Sequence, residues 1–548
     1  MERIYRSLLS VAGLFFVLNS VRGVKNATKK DFPNGFLWVT ASSAFQIEGA
    51  WNVSGKGPSI WDTYTHQLDA NGEKRVNGDV ACDSYHKYKE DVKLLRELGV
   101  NHYRFSISWP RILPDGRVGE NDAGVNDAGV EYYQKLIDEL LKANIKPFVT
   151  LYHWDLPQAL QDKGGWQNRQ IIDWFNDYAD LCFRKFGDKV TTWITLNEPW
   201  VVAFLGHEKG PKQMAPNVKG EGDAVYEVAH NMILSHAKAY RTYNSKYNQA
   251  QKGQVGISLN SFWYEPKDEN SAADRLAAER NLQFEFGMFA GPIVDGSYPQ
   301  EMTSRISADR QQYFTEDEAQ QVRGSTDFLG VNYYSARYVS QSDESYRGGD
   351  MMMPSSYMSD LGVDHEFDPK WERSNVEWLR VVPEGLTKLL AWINRTYDHP
   401  RVVVTENGYG DTTDTVNDQT RIDYIQRHIN AIYAAIVESK CDVFGYTVWS
   451  LMDNLEWDDG YAYKFGLHKV NFADPARPRV KRDSARWYAK FLGASDKQSP
   501  RYDSEKPPSE HVGGSGPRNV SSYLFPICAV IVGIIVSIYI TQATATTD

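Results

Sequence analysis

Eight short apolar runs recur along this chain, separated by longer stretches of mixed polarity. They are Phe36–Ser42, Tyr103–Trp109, Lys146–Trp154, Thr191–Glu198, Gln254–Asn260, Phe328–Tyr334, Arg401–Glu406 and Val443–Leu451. Runs such as Trp193-Ile194-Thr195-Leu196 and Val402-Val403-Val404-Thr405 are β-branched and apolar without alternation. That pattern predicts strands buried on both faces, as in a parallel sheet. Between the runs, segments such as Tyr85–Leu98 and Tyr132–Lys142 place apolar residues at helical spacing. Eight alternations of strand and helix predict an α/β fold, a single catalytic (β/α)8 TIM barrel. Gln341–Arg373 reads as a loop insertion at one barrel face.

The two ends break the pattern. Arg3 and Arg6, the apolar Leu8–Leu18 and the small residues near Gly23 predict a secretory signal peptide over 1–23. The barrel is then expected over 24–495. Residues 496–522 carry Lys506-Pro507-Pro508 and Gly513-Gly514-Ser515-Gly516, the composition of a flexible linker. The unbroken apolar run Tyr523–Ile540 follows. As a helix it would span roughly 27 Å, just enough for a thin hydrocarbon core. It reads either as a single transmembrane helix or as the discarded tail of a lipid-anchor signal, with the attachment site among Gly513–Ser515. Sequons at Asn26, Asn52, Asn394 and Asn519 agree with secretion and glycosylation. The expected location is the secretory pathway and the extracellular face of a membrane.

Composition narrows the class. The net charge of −11 over 548 residues offers no basic stripe for nucleic acid. Most of the 16 Trp and 32 Tyr belong to a large core, with a few rings available to line a site. Cys82, Cys182, Cys441 and Cys528 are widely spaced, which fits buried free thiols better than a disulfide framework or a zinc site.

Chemistry gathers at the run ends. His153 closes the third run, Asn197 and Glu198 the fourth, Asn332 and Tyr334 the sixth, Glu406 the seventh and Trp449 the eighth. The C-terminal tips of barrel strands form the pocket of this fold. Two glutamates there can flank one glycosidic bond, one protonating the leaving group while the other attacks. No metal or organic cofactor is required, because carboxylates supply the covalent chemistry.

In order along the chain, these motifs resemble the family-1 glycoside hydrolases, the β-glucosidase family. They are Gln46-Ile47-Glu48-Gly49, Tyr103–Trp109, Tyr152-His153-Trp154-Asp155-Leu156-Pro157, Thr195-Leu196-Asn197-Glu198-Pro199, Asn332-Tyr333-Tyr334, Thr405-Glu406-Asn407-Gly408 and Trp449–Trp457. The resemblance runs from about Phe32 to Tyr488. It implies a retaining β-glycosidase that releases terminal β-linked glucose or a similar sugar from a small glycoside or oligosaccharide. Glu198 would be the general acid/base and Glu406 the nucleophile. Arg104 and Tyr334 would aim Glu406, with Asn332 supporting the site. Asn197 would bind the sugar 2-hydroxyl, and Gln46, His153, Glu456 and Trp457 the other hydroxyls. Trp449 would lie under the sugar ring and Trp378 would face the leaving group.

Three departures from the family pattern stand out. Val39 replaces a small residue, with altered packing near Gln46 as the expected result. Leu455 replaces a Phe at a position expected to be structural. The loop from Gly206 to Pro211 differs just after Glu198, which points to an unusual leaving-group preference. Two other functions compete. A thioglucosidase on the same fold needs no acid, because its leaving group departs unaided, so the presence of Glu198 weighs against it. A silent membrane co-receptor would have lost one glutamate, and both are present. The sequence leaves the natural aglycone and the oligomeric state open.

Overall fold

The computed structural model describes residues 26–494, apart from position 70 and positions 209–213, 219–223 and 343–355. All eight apolar runs are strands: β1 (Leu37–Ala41), β2 (His102–Ser106), β3 (Lys146–Tyr152), β4 (Thr192–Asn197), β5 (Gln254–Asn260), β6 (Leu329–Asn332), β7 (Val402–Asn407) and β8 (Val443–Trp449). They form one closed barrel in chain order. β8 closes onto β1 in parallel, with Leu37 opposite Gly445 and Ala41 opposite Trp449. The eight-stranded parallel (β/α)8 barrel expected from the sequence is the fold.

The strands stop a residue or more before several expected ends. β2 ends at Ser106, because Pro110 already sits in the first turn of the helix Trp109–Ile112. Proline belongs there, where no helical N–H partner is needed. The amphipathic stretches form the helices Ser84–Leu98 and Asp127–Lys142. On the first, Val92, Leu95 and Leu98 are buried at a spacing that faces one side. Gly99 ends it in the left-handed conformation (φ 75°), its N–H meeting the carbonyls of Leu95 and Arg96.

Inside the barrel, Val39, Phe148, Ile194, Phe328 and Val403 make a separate apolar plug, with Leu37 and Phe444 against it. Val39 therefore packs within this plug rather than altering the surroundings of Gln46, which lies on the later helix Ala44–Ile47. Leu455 is fully buried, and its N–H and carbonyl bond to the Gln46 carbonyl and side chain, a structural role as expected.

The insertion Gln341–Arg373 is not simply a loop. Ala336–Gln341 and Val363–Glu366 pair antiparallel, and Trp263–Pro266 joins them to make a three-stranded sheet. A helix, Ser356–Leu361, lies within the same stretch. Cys82, Cys182 and Cys441 are buried free thiols, while Cys528 lies outside the described residues.

Of the four sequons, Asn26 and Asn52 are exposed. Asn394 does not suit a glycan in the folded chain, contrary to the expectation. It is 4% exposed and its Nδ2, the atom a glycan would occupy, donates to the Ser439 carbonyl at 3.0 Å. Asn519, the signal segment 1–23, the linker 496–522 and the apolar run 523–540 lie outside the described residues. Among the described residues no helix is long and apolar enough to cross a membrane.

The last helix, Asp483–Leu492, is fastened to the segment after β8 by a buried pair. Arg482 donates through Nη1 and Nη2 to the two oxygens of Asp453 at 2.8 and 2.9 Å. Removing the cation would leave a carboxylate stranded in the interior. Arg482→Met should therefore destabilise the fold by about 3–5 kcal/mol. Equilibrium denaturation checks this, and an unchanged midpoint would show the pair to be dispensable.

Candidate active site

The two glutamates reach the same place by different backbone devices. Glu198 follows β4 in the left-handed conformation (φ 47°), and Pro199 opens the helix Pro199–His207 directly after it. The strand thus turns into a helix at Glu198, while its N–H stays tied to the Ser258 carbonyl of β5 at 2.8 Å. Glu406 is the penultimate residue of β7, where the pairing with β6 and β8 shifts register after Val404. Such irregularities re-aim a side chain at a strand tip.

A buried guanidinium joins the strands around these residues. Arg104 of β2 is 1% exposed. Its Nη1 donates to Glu406 Oε1 at 2.6 Å and to the Thr405 carbonyl at 2.9 Å. Its Nη2 donates to Asn197 Oδ1 at 2.5 Å. The Tyr334 hydroxyl donates to the other Glu406 oxygen at 2.9 Å. Burial first, and then the Glu406 charge, hold the Tyr334 hydroxyl well above its ordinary pKa, so it remains a donor.

Asn332 serves Glu198. Its Nδ2 donates to Glu198 Oε1 at 2.7 Å and to Asn197 Oδ1 at 3.1 Å. The hydroxyls of Ser258 and Thr405 lie 2.9 and 2.6 Å from Asn332 Oδ1. The Arg104 guanidinium fixes Asn197 Oδ1 as an acceptor, so the Asn332 atom facing it is the donor nitrogen, which also meets Glu198. Asn197 is oriented likewise. Its Oδ1 accepts from Arg104, which turns Nδ2 toward His153 Nε2 at 3.1 Å. Burial, then the Arg104 cation, hold the His153 ring well below its usual pKa, leaving a neutral imidazole that accepts there.

The Glu198 carboxyl is 8% exposed. Burial, then the negative charge of Glu406, raise its pKa well above the ordinary carboxyl range, against weaker opposing effects of Asn332 and Arg104. The site therefore holds a carboxylic acid beside a carboxylate clamped by a cation and a phenol. This is the pairing of proton donor and anion that glycosidic bond cleavage needs.

The remaining candidates line the surroundings. The His153 ring stacks 5.7 Å from Trp449 and 5.8 Å from Trp457, and Trp154 lies 4.4 Å from Trp457. Trp378 meets the edge of Tyr334 at 5.7 Å and Phe262 at 6.3 Å. Gln46 spends both amide hydrogens on Asn454 Oδ1 and the Leu455 carbonyl, while Ser43 donates to its Oε1. A sugar hydroxyl could use only the second lone pair of that oxygen, so Gln46 is equipped as an acceptor. Glu456 stands between Leu455 and Trp457, and its charge is felt at Tyr334.

Sequence reasoning missed Ser258 and Thr405, and did not single out Trp154, whose indole donates to the Asn197 carbonyl at 2.9 Å. The usable signal was position. Ser258 lies near the end of an otherwise apolar run, and Thr405 directly precedes Glu406.

The family profile described as glycosyl hydrolase family 1 matches residues 28–497. This chain belongs to glycosyl hydrolase family 1. A human relative, lactase/phlorizin hydrolase, is 46% identical over 473 residues, which are 84% of this chain. The chain spans only 24% of that protein's length. A rice β-glucosidase mutant, solved in a covalent complex with Glc, superposes with a TM-score of 0.79 at 40% identity, covering 85% of this chain and 99% of its own. An aphid myrosinase superposes with a TM-score of 0.78 at 40% identity, covering 84% of this chain and 99% of its own. Family membership accounts for the barrel and for the order of the motifs, but these two neighbours differ in the glycosides their names imply.

Tyr334→Phe removes one donor from Glu406 and leaves the Arg104 pair in place. A hydrogen bond to a charged group contributes about 1.5–3 kcal/mol, so kcat/KM for an aryl β-glucoside should fall roughly 10- to 150-fold. Steady-state kinetics on folded protein checks this. An unchanged rate would mean that Tyr334 does not act on Glu406.

Proposed function

We propose that this chain is a retaining β-glycosidase of the β-glucosidase type, with Glu198 as acid/base and Glu406 as nucleophile. The observation that carries the reading is the unequal treatment of two glutamates in one buried network. Glu198 is positioned by Asn332, and its burial beside the Glu406 charge favours its proton, while Arg104 and Tyr334 hold Glu406.

The reaction runs in two displacements. A Glu406 oxygen attacks the anomeric carbon while Glu198 passes its proton to the glycosidic oxygen. The carbon–oxygen bond to the leaving group breaks, and an α-linked sugar ester forms on Glu406. Glu198, now ionised, takes a proton from water. The water oxygen attacks the anomeric carbon and frees Glu406, giving a sugar with its original β configuration. In the ester, Glu406 no longer carries the charge that raised the pKa of Glu198, which makes the second role easier. Asn197 would hold the 2-hydroxyl, where contacts strengthen in the transition state. Gln46, His153, Glu456 and Trp457 would hold the other hydroxyls over the Trp449 ring.

The aphid myrosinase keeps a thioglucosidase in view. The favoured substrates are O-glycosides, because a buried, protonated Glu198 is what an alkoxide leaving group needs and a thiolate does not. The sequence also supports secretion through residues 1–23 and membrane attachment through 523–540, with the enzyme outside the cell.

Glu198 must be protonated to act, so the rate should fall as pH rises through its raised pKa. Glu198→Ala should slow alkyl glucosides far more than activated aryl ones and should also remove that basic limb. Equal slowing of both substrate classes, or a surviving basic limb, would take the acid/base role away from Glu198.

Truncation after Ser504 should release soluble, active enzyme, because every residue named for chemistry lies upstream. A phosphoinositide-specific phospholipase then separates the two anchors. Release of a chain that ends near Gly513–Ser515 indicates a lipid anchor, and retention indicates a spanning helix. Full-length protein free in the medium with its apolar run intact would contradict membrane attachment.

A further inference from the structure

A third glutamate is buried close to the pair and has no part in the reaction as described. Glu285 lies on the π-helical turn Gln283–Gly287 and is 1% exposed. Its Oε1 accepts from Asn260 Nδ2 at 2.6 Å, and its Oε2 accepts from the Tyr264 hydroxyl. Asn260 ends β5 and pairs in register with Asn332 of β6. Asn332 in turn donates to Glu198 at 2.7 Å. Two residues before Asn260 on the same strand, the Ser258 carbonyl holds the Glu198 N–H. The tip of β5 thus fixes Glu198 through its backbone and Glu285 through its last side chain. We propose that Glu285 is a positioning residue for the reaction, which is held by Asn260 at the tip of the strand that fixes Glu198 and whose negative charge helps Glu198 keep its proton.

A purely structural role is poorly served by a carboxyl here. Burying one is costly unless its charge is used or its hydrogen bonds are complete. Glutamine of the same shape would accept from Asn260 and could donate to the Tyr264 oxygen. The electrostatics of the site agree with a functional charge. Burial raises the pKa of Glu285 to about 7, against the opposing effects of Tyr264, Arg337, Asn260 and the Phe262 N–H. The group therefore changes charge near neutrality, and that charge acts on Glu198 in the same direction as that of Glu406. The titratable and charged groups facing Glu198 are Glu406, Arg104, Tyr334 and Glu285. Those facing Glu285 include Tyr264, Arg337, Tyr357 and Glu198 itself.

The sign follows from charge alone. A negative neighbour raises the pKa of Glu198, so neutralising it lowers that pKa and brings the loss of activity to lower pH. The test is the pH profile of kcat/KM for an alkyl β-glucoside, measured on the full chain. Glu285→Gln should move the basic limb to lower pH by about half to one unit and leave the acidic limb in place. Glu285→Asp, which keeps the charge, should return the limb toward its original position. A folded Glu285→Gln protein with an unmoved basic limb overturns the proposal. If that variant does not fold, Tyr264→Phe replaces it. Loss of a donor makes Glu285 harder to ionise, so the basic limb should again move to lower pH, and an unmoved limb is again fatal. The inference rests on Glu198 being the proton donor, and the two failures differ. If Glu198 is not the donor, Glu198→Ala slows all leaving groups alike. If only Glu285 is misassigned, that selectivity survives and the limb stays where it was.

Discussion

The buried guanidinium of Arg104 is the interaction on which the site depends. A cation with almost no solvent contact must be matched by acceptors, because an unpaired buried charge is among the costliest defects a fold can carry. Arg104 finds them on three other strands, in Thr150 of β3, in Asn197 of β4 and in Thr405 and Glu406 of β7. Its stem sits on β2, so one side chain ties four strands of the barrel at the end where their tips converge. Fork geometry makes the tie directional as well as strong. The same contacts that satisfy the cation hold Glu406 and turn the Asn197 amide toward His153.

Much of the chemistry follows from that arrangement. The two glutamates share one pocket and have the same side chain, yet their neighbours differ. Glu406 meets a cation and a phenol. Glu198 meets an amide, a low-dielectric wall and the charge of Glu406. One fold can run acid and nucleophilic chemistry together when its environment separates two carboxyls in this way. Ser258 and Thr405 extend the network outward, with their hydroxyls beside the Asn332 oxygen while its amide nitrogen faces Glu198. Supporting contacts of this kind make a site rigid enough to act.

The barrel was legible because parallel strands buried on both faces leave continuous apolar runs, and all eight were found within a few residues of their ends. Glu198 and Glu406 were legible because each polar residue closing such a run sits at a strand tip. Other features depend on packing that no local pattern encodes. Val39 looked like a neighbour of Gln46 and belongs instead to a plug assembled from residues far apart in sequence. The sequon at Asn394 has the right letters, but the helix carrying it turns that side chain inward to the Ser439 carbonyl. Gln341–Arg373 hid the short strands Val363–Glu366 and Glu372–Arg373, whose few residues give little periodicity against a polar background. Glu285 sits on a π-turn, which obeys neither the helical nor the strand period, and its relation to Glu198 passes through two strands.

The central claim is that Glu406 forms a covalent bond to the sugar. A 2-deoxy-2-fluoro β-glucoside with an activated leaving group tests it directly, since the fluorine slows both steps and the leaving group speeds only formation of the ester. Incubation followed by proteolysis and peptide mass spectrometry should find one fluoroglucosyl group on the peptide carrying Val404-Thr405-Glu406-Asn407, with activity lost in proportion to labelling. Label on another residue, or steady turnover with no adduct and release of the α-configured sugar, would contradict the account.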